Sequence, residues 1–285
     1  MRRLALAITV GILWGLSTSG AWAEHYKHTE RREIEKTFQI GSGEVNLAVD
    51  NVFGSITVRG HAADRVKLRA EERLRARSPE KLARARKETK LRIEQDGNDI
   101  SIYADAPYRR DQEHRGPWRD HGYVASYDIE IVVPHHTRLQ LSTVNDGHLL
   151  IEDVRGDFEL SNINGRIEML GAAGDGEART INGDVRIRFA ENPTESSHFS
   201  TINGDLDFSF TPSLSAELRF KTQNGEIWTD FQAKPIPASS VKKMRDGEKR
   251  ILRAQRWAAV QVAGGGPTLS FSTLNGDILI RDDGR

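Results

Sequence analysis

Four acidic side chains stand in the same place beside a recurring Asn-Gly pair. Asp184, Asp205 and Asp277 directly follow the glycine, and Glu226 does so in a fourth copy. Brought to one flank of a repeat, such a row could chelate calcium, or supply the acid pair with which a polysaccharide hydrolase cleaves a glycosidic bond. The plainer chemistry is stronger. Asp beside Gly is an ordinary turn residue whose carboxylate bonds nearby backbone. Calcium-binding repeats carry denser Gly-Asp patterns, and Arg166 occupies the equivalent place in another copy and breaks the row. No catalytic residue is assigned.

Histidines offer little more. His25 and His28, His114 and His121, and His135 and His136 are the close pairs, and none has the ligand spacing of a zinc motif. No Gly-x-Ser-x-Gly elbow or phosphate loop is present, and Gly264-Gly265-Gly266 runs into Pro267 and reads as a wide turn. No metal ligand and no cofactor is expected. The segment 106–122 is different in kind. Tyr108, Trp118 and Tyr123 are interleaved there with Arg109, Arg110 and Arg119, and aromatics with arginines are the residues enriched at binding hot spots. These six are the candidate interaction loop, against the alternative of a solubilising insertion. A second aperiodic segment, 234–256, is basic but interrupted by Asp246 and Glu248.

The elements that must position these residues follow from the repeat. The turns are Asn164-Gly165, Asn182-Gly183, Asn203-Gly204, Asn224-Gly225 and Asn275-Gly276, with a looser copy at Asn145-Asp146-Gly147. Val52-Phe53-Gly54-Ser55-Ile56 looks like an isolated outlier. Aligned on Asn, the copies form columns: Leu141, Leu160, Ala178, Phe199, Phe220 and Phe271 four residues before it, and Thr143, Asn162, Thr180, Thr201, Thr222 and Thr273 two before it. Ile167, Val185, Leu206, Ile227 and Ile278 stand three after it. Period-2 alternation on both sides of a turn predicts strand, corner, strand with one buried face.

Two folds satisfy this pattern. Asn-Gly is a strong hairpin signal, so a row of hairpins would give a meander, sandwich or barrel. Column identity and the steps of 18 and 21 residues between asparagines favour an all-β, β-solenoid-like stack of short two-strand coils with Asn-Gly corners. Ser78-Pro79-Glu80 predicts one short helix in the N-terminal half, running to about Thr89.

The ends and the composition set the compartment. Arg2 and Arg3, the apolar run Leu4 to Leu16 and Ala21-Trp22-Ala23 read as a secretory signal peptide over 1–23. A linker is expected over 24–42 and the repeat domain over 43–285, with insertions at 106–122 and 234–256. Cysteine is absent, which removes disulfides, thiol chemistry and lipoprotein anchoring. Without Arg2 and Arg3, 39 basic residues face 41 acidic ones, so no nucleic-acid surface is implied. No later run is apolar enough to span a bilayer. The expectation is a protein exported by the secretory pathway to the periplasm or beyond.

Val132-Val133-Pro134 with Thr137, Leu139 and Leu141, the repeated Thr-x-Asn-Gly-x-Ile units, and the closing stretch Gly264 to Ile278 resemble a bacterial family of candidate adhesins, a domain of unknown function built from short β-repeats. The resemblance covers roughly residues 43–281. It implies a β-solenoid-like envelope protein and transfers no functional residue. Asp146 inside the first Asn-Gly, Gln223 in place of an aliphatic residue, and the insert at 106–122 depart from the pattern. The resulting expectation is a non-enzymatic binding or scaffolding module whose partner is an envelope protein or surface glycan. The alternative is a polysaccharide-acting enzyme on a β-helix, using surface carboxylates.

Overall fold

The computed structural model describes residues 26–62, 64–109, 120–236, 241–246, 249–254 and 258–284. The expected signal peptide lies outside the described residues. The chain opens with β1 (His28–Gln39), β2 (Val45–Asp50), β3 (Ile56–His61) and β4 (Arg65–Ala76), then helix α1 (Pro79–Glu88), β5 (Lys90–Asp96), β6 (Asp99–Asp105) and β7 (Tyr123–Pro134). Short paired strands follow: β8 (Thr137–Thr143) with β9 (Leu149–Glu152), β10 (Phe158–Asn162) with β11 (Ile167–Ala172), and β12 (Gly176–Arg179) with β13 (Val185–Phe189). Next come β14 (Ser197–Ser200) with β15 (Leu206–Phe210), and β16 (Ala216–Lys221) with β17 (Ile227–Thr229). After β18 (Ala233–Pro235), β19 (Val241–Asp246), β20 (Lys249–Ala254) and β21 (Ala258–Val262), the last pair is β22 (Thr268–Ser272) and β23 (Ile278–Asp282).

The protein is mostly β, in two large open sheets. One runs β1-β4-β7-β3-β9-β11-β13-β15-β23-β17-β20-β19, the other β18-β21-β16-β22-β14-β12-β10-β8-β2-β6-β5. Each strand–corner–strand unit places one strand in each sheet, and the units pair in parallel: Leu141, Leu160, Ala178, Phe199 and Phe271 are successive register partners across the second sheet. The alternation explains this. Inward residues of both sheets meet in one apolar core from Phe38 to Ile280, while outward positions are mostly polar, with Leu150, Leu170, Trp228 and Leu279 as exceptions.

Two expectations change, and the order of the units in space departs from that of the chain. The segment expected as a linker carries β1, which pairs antiparallel with β4 along its whole length, because Ile34 and Phe38 have a sheet edge to cover. Val52-Phe53-Gly54 is no outlier. It is the corner between β2 and β3, and Phe53 bridges Asn145 where other units place Asn. Finally, the last unit in the chain is not last in space: β22 lies between β14 and β16, and β23 between β15 and β17. Helix α1 begins as its sequence dictates, with Ser78 Oγ accepting the Lys81 N–H at 3.3 Å and Ala85 buried beneath β4 and β7.

Candidate functional site

The Asn-Gly corners line up into one edge of the molecule, and three sets of hydrogen bonds run along it. Asn side chains chain to one another: Asn164 Nδ2 donates to Asn145 Oδ1, Asn182 to Asn164 and Asn203 to Asn182, each at 2.8 Å, and Asn275 to Asn203 at 2.7 Å. Asn224 then donates to Asn275 at 2.8 Å. Inside them the Thr hydroxyls donate to the glycine carbonyl of the unit beneath: Thr180 to Gly165, Thr201 to Gly183, Thr273 to Gly204 and Thr222 to Gly276, at 2.9–3.1 Å. Asn162 Nδ2 does the same to Gly147 at 3.0 Å. The glycines are required by close approach. A Cβ on Gly276 would lie 1.9 Å from the Gly204 carbonyl oxygen.

The carboxylates form the third set. Asp184 Oδ1 accepts the Asp205 backbone N–H at 2.9 Å, Asp205 Oδ1 accepts that of Asp277 at 2.8 Å, and Asp277 Oδ1 that of Glu226 at 2.8 Å. Further along the line His148 Nδ1 takes the Arg166 N–H at 3.3 Å and Asp128 Oδ1 the Ser55 N–H at 3.0 Å. The row thus links unit to unit through backbone.

One surface feature of the corner was not singled out from the sequence. Ile163, Ile181, Ile202 and Leu274, each directly before its Asn, are the exposed large hydrophobics among the described residues, at 37–43%. They make an outward aliphatic row beside the Asn chain. The signal was available: these positions are out of phase with the buried columns yet aliphatic. At one end the row meets a small buried cluster of Val52, Ala106 and Tyr108, against which Phe53 and Val144 pack.

That cluster relocates part of the candidate interaction loop. Tyr108 is buried, donates its hydroxyl to the Ala125 carbonyl at 3.0 Å and sits edge-on to Phe53 at 5.5 Å; burial pushes its pKa up. Tyr123 is buried too and donates to Glu88, and burial followed by that carboxylate raises its pKa. Glu88 is itself pulled up by burial, but hydrogen bonds from Tyr123 and Arg84 outweigh this and leave it lowered. Arg109 pairs with Asp50 and lies 4.2 Å over the Tyr103 ring. Tyr108 and Arg109 are thus held beside the β2–β3 corner, and Tyr123 is held in β7 against helix α1, so all three side chains are engaged within the fold. Arg110, Trp118 and Arg119 lie outside the described residues.

The histidines stay dispersed. His135 Nδ1 contacts the Asp153 carbonyl at 2.7 Å, and His61, His135 and His136 line a shallow open depression with Arg155. Among the described residues no group of three or more His, Asp or Glu is placed to hold a metal ion. No helix among them is long and apolar enough to cross a membrane.

No family model matches the chain, and no curated protein matches it. Solved structures of similar shape include a candidate cell adhesion protein from Clostridium sporogenes, 11% identical over 89% of this chain and 100% of that one, with a TM-score of 0.41. A candidate adhesin from Bacteroides fragilis is 12% identical over 88% of this chain and 96% of that one, with a TM-score of 0.38. A candidate lipid-binding protein from Parabacteroides distasonis is 11% identical over 87% and 96%, at 0.30. Likenesses this distant carry no functional argument.

Proposed function

We propose that this chain is an exported, non-enzymatic envelope protein: an adhesin-like β-solenoid that holds a rigid corner surface for a partner. The observation that carries this reading is the commitment of the corner. Asp184, Asp205 and Asp277 each hold a neighbouring unit's N–H, while the row Ile163, Ile181, Ile202 and Leu274 is left exposed beside them. Parallel units in register, corner upon corner, support the solenoid form. A leader of secretory type over 1–23 and the resemblance of the repeats to candidate adhesins support export and an envelope location. The exposed row is aliphatic and offers no ring on which a sugar could stack, which favours an envelope protein over a glycan as the partner.

The test compares the mature protein with an Ile181→Lys/Ile202→Lys double variant in affinity capture from envelope extract. The expected result is a specific partner captured by the first and lost with the second; the same capture by both would sink the corner as the contact surface. In a parallel arm, envelope polysaccharides are incubated with the protein and reducing ends are measured. Release that Asp184→Asn and Asp205→Asn abolish would replace this reading with the hydrolase.

A further inference from the structure

The place of the last unit calls for a physical account. The 216–229 unit and the 268–282 unit present the same residues at matched positions: Leu218 and Leu269, Phe220 and Phe271, Thr222 and Thr273, Asn224 and Asn275, Gly225 and Gly276, Ile227 and Ile278. Either would satisfy the upper surface of the 197–210 unit. Asn203 and Asp205 would find an Asn side chain and a backbone N–H from each. In the structure the later segment holds that place. Phe271 stacks between Phe199 at 5.3 Å and Phe220 at 5.5 Å, and Leu269 and Ile278 are fully buried.

The route by which it arrives is unusual. β21 pairs antiparallel with one side of β16, and β22 pairs parallel with the other, so the chain straddles β16. The short link carries three positive-φ residues, Ala263 (50°), Gly265 (77°) and Gly266 (151°), and Ser215 Oγ bonds the Gly265 carbonyl at 2.6 Å. Until 268–282 is in place, the 197–210 and 216–229 units either expose facing strand edges or pair with each other and leave the last unit unpaired. Unpaired edges of this kind are templates for another chain.

We propose that the slot between the 197–210 and 216–229 units is a strand-exchange site, filled by Thr268–Asp282 of the same chain or, in trans, by the same segment of a second copy. Reciprocal exchange gives a closed dimer in which each copy completes the other, with the Ala263–Pro267 link as the hinge. Every contact in the slot is identical in the two arrangements, so the choice between them follows concentration during folding and needs no new interface. This inference is independent of the binding role proposed above.

The absence of cysteine makes a clean test possible. Full-length Ser200→Cys and Ser272→Cys variants, each with one thiol, are unfolded in urea, mixed, refolded together and oxidised; these positions are register partners on adjacent strands. Exchange predicts a covalent heterodimer whose yield rises with protein concentration and exceeds that of Ser200→Cys mixed with Gln95→Cys, a thiol on a remote strand. Unmodified protein refolded over the same concentrations should show a matching rise in dimer by size exclusion. Heterodimer no greater than the remote-thiol control, with unmodified protein monomeric throughout, would overturn the proposal.

Discussion

Two halves of the same sheet are held together in different ways. At one end, β1, β4 and β7 lie antiparallel, and their contacts are particular. Arg32 reaches the buried Glu72 at 2.9 Å, Tyr127 donates to the same carboxylate at 2.9 Å, Arg73 pairs with Glu71, and Arg86 of α1 reaches Glu30. The contacts of Glu72 and Glu30 join particular residues of different elements, so a shift in register between those elements would break them. Beyond β3 the contacts recur from unit to unit: Thr to glycine carbonyl, Asn to Asn, Asp to backbone N–H and Phe on Phe, with ion pairs such as Arg281–Asp207 confined to the outer face. A repeated contact holds units together well but does not say which unit comes next. The charged end specifies order, and the repeated end tolerates exchange.

The largest difference is expected when the same change is made inside the repeats and outside them. Gly276→Ala drives a Cβ into the Gly204 carbonyl and should cost about 4 kcal/mol or more by urea denaturation, in the range of severe core defects. Gly97→Ala, in the β5–β6 hairpin with φ of 60° and nothing within 4 Å, should cost about 1–2 kcal/mol, the penalty of the left-handed region alone. Equal costs would remove the close stacking on which the repeated half depends.

Next in size is the loss of single hydroxyls. Tyr127→Phe leaves the buried Glu72 short of a donor and should cost about 1–3 kcal/mol. Thr201→Val removes one of several equivalent bonds to glycine carbonyls and should cost about 1 kcal/mol. A larger loss for Thr201→Val would mean that the repeated bonds act as a cooperative unit.

Alkali separates the halves without mutation. Burial first, then the nearby Glu72, raises the pKa of Tyr127, and burial likewise raises those of Tyr108 and Tyr123. The folded chain therefore keeps phenolic protons that the unfolded chain releases near pH 10, so stability is full below about pH 10 and falls as pH rises beyond it. Amide exchange with mass-spectrometric readout should show β4 and β7 loosening first above that pH and the stack between β9 and β15 later. Simultaneous loss would show one cooperative unit. The smallest effect expected is that of Asp205→Asn, which keeps an oxygen for the Asp277 N–H and should change stability by no more than about 0.5 kcal/mol.

Much of this difference is visible in the residues and some of it is not. The alternation of Leu139, Leu141 and of Val185, Ile187 marks strands with one buried face, and the all-β class follows. Ser78-Pro79 marks the helix start because its chemistry is local. The neighbour of Asn203 is not visible, because Asn224 and Asn275 sit in equivalent local sequence and only the path of the intervening chain decides between them. Phe53 hides its corner by lacking Asn, although Gly54 and Ile56 keep the spacing. Tyr108 reads as a loop aromatic because burial at the end of a sheet leaves no periodic trace, whereas Tyr123 continues the buried alternation of Ala125, Tyr127 and Ile129 and could have been placed by its phase. The exposed Ile row was legible as an alternation out of phase, but repeated aliphatic residues beside a turn suggest core unless the phase is counted.

The order of the units in space is the central point, and one measurement addresses it directly. Two full-length double variants, Ser200→Cys/Ser272→Cys and Ser200→Cys/Lys221→Cys, are oxidised as folded, dilute monomers. Adjacent strands lie about 4.8 Å apart, within disulfide reach, and next-but-one strands about twice that, beyond it. With β22 between β14 and β16, the first variant forms an intramolecular bridge and the second does not. Bridging in the second and not the first would mean that the units stack in sequence order, and would contradict the account.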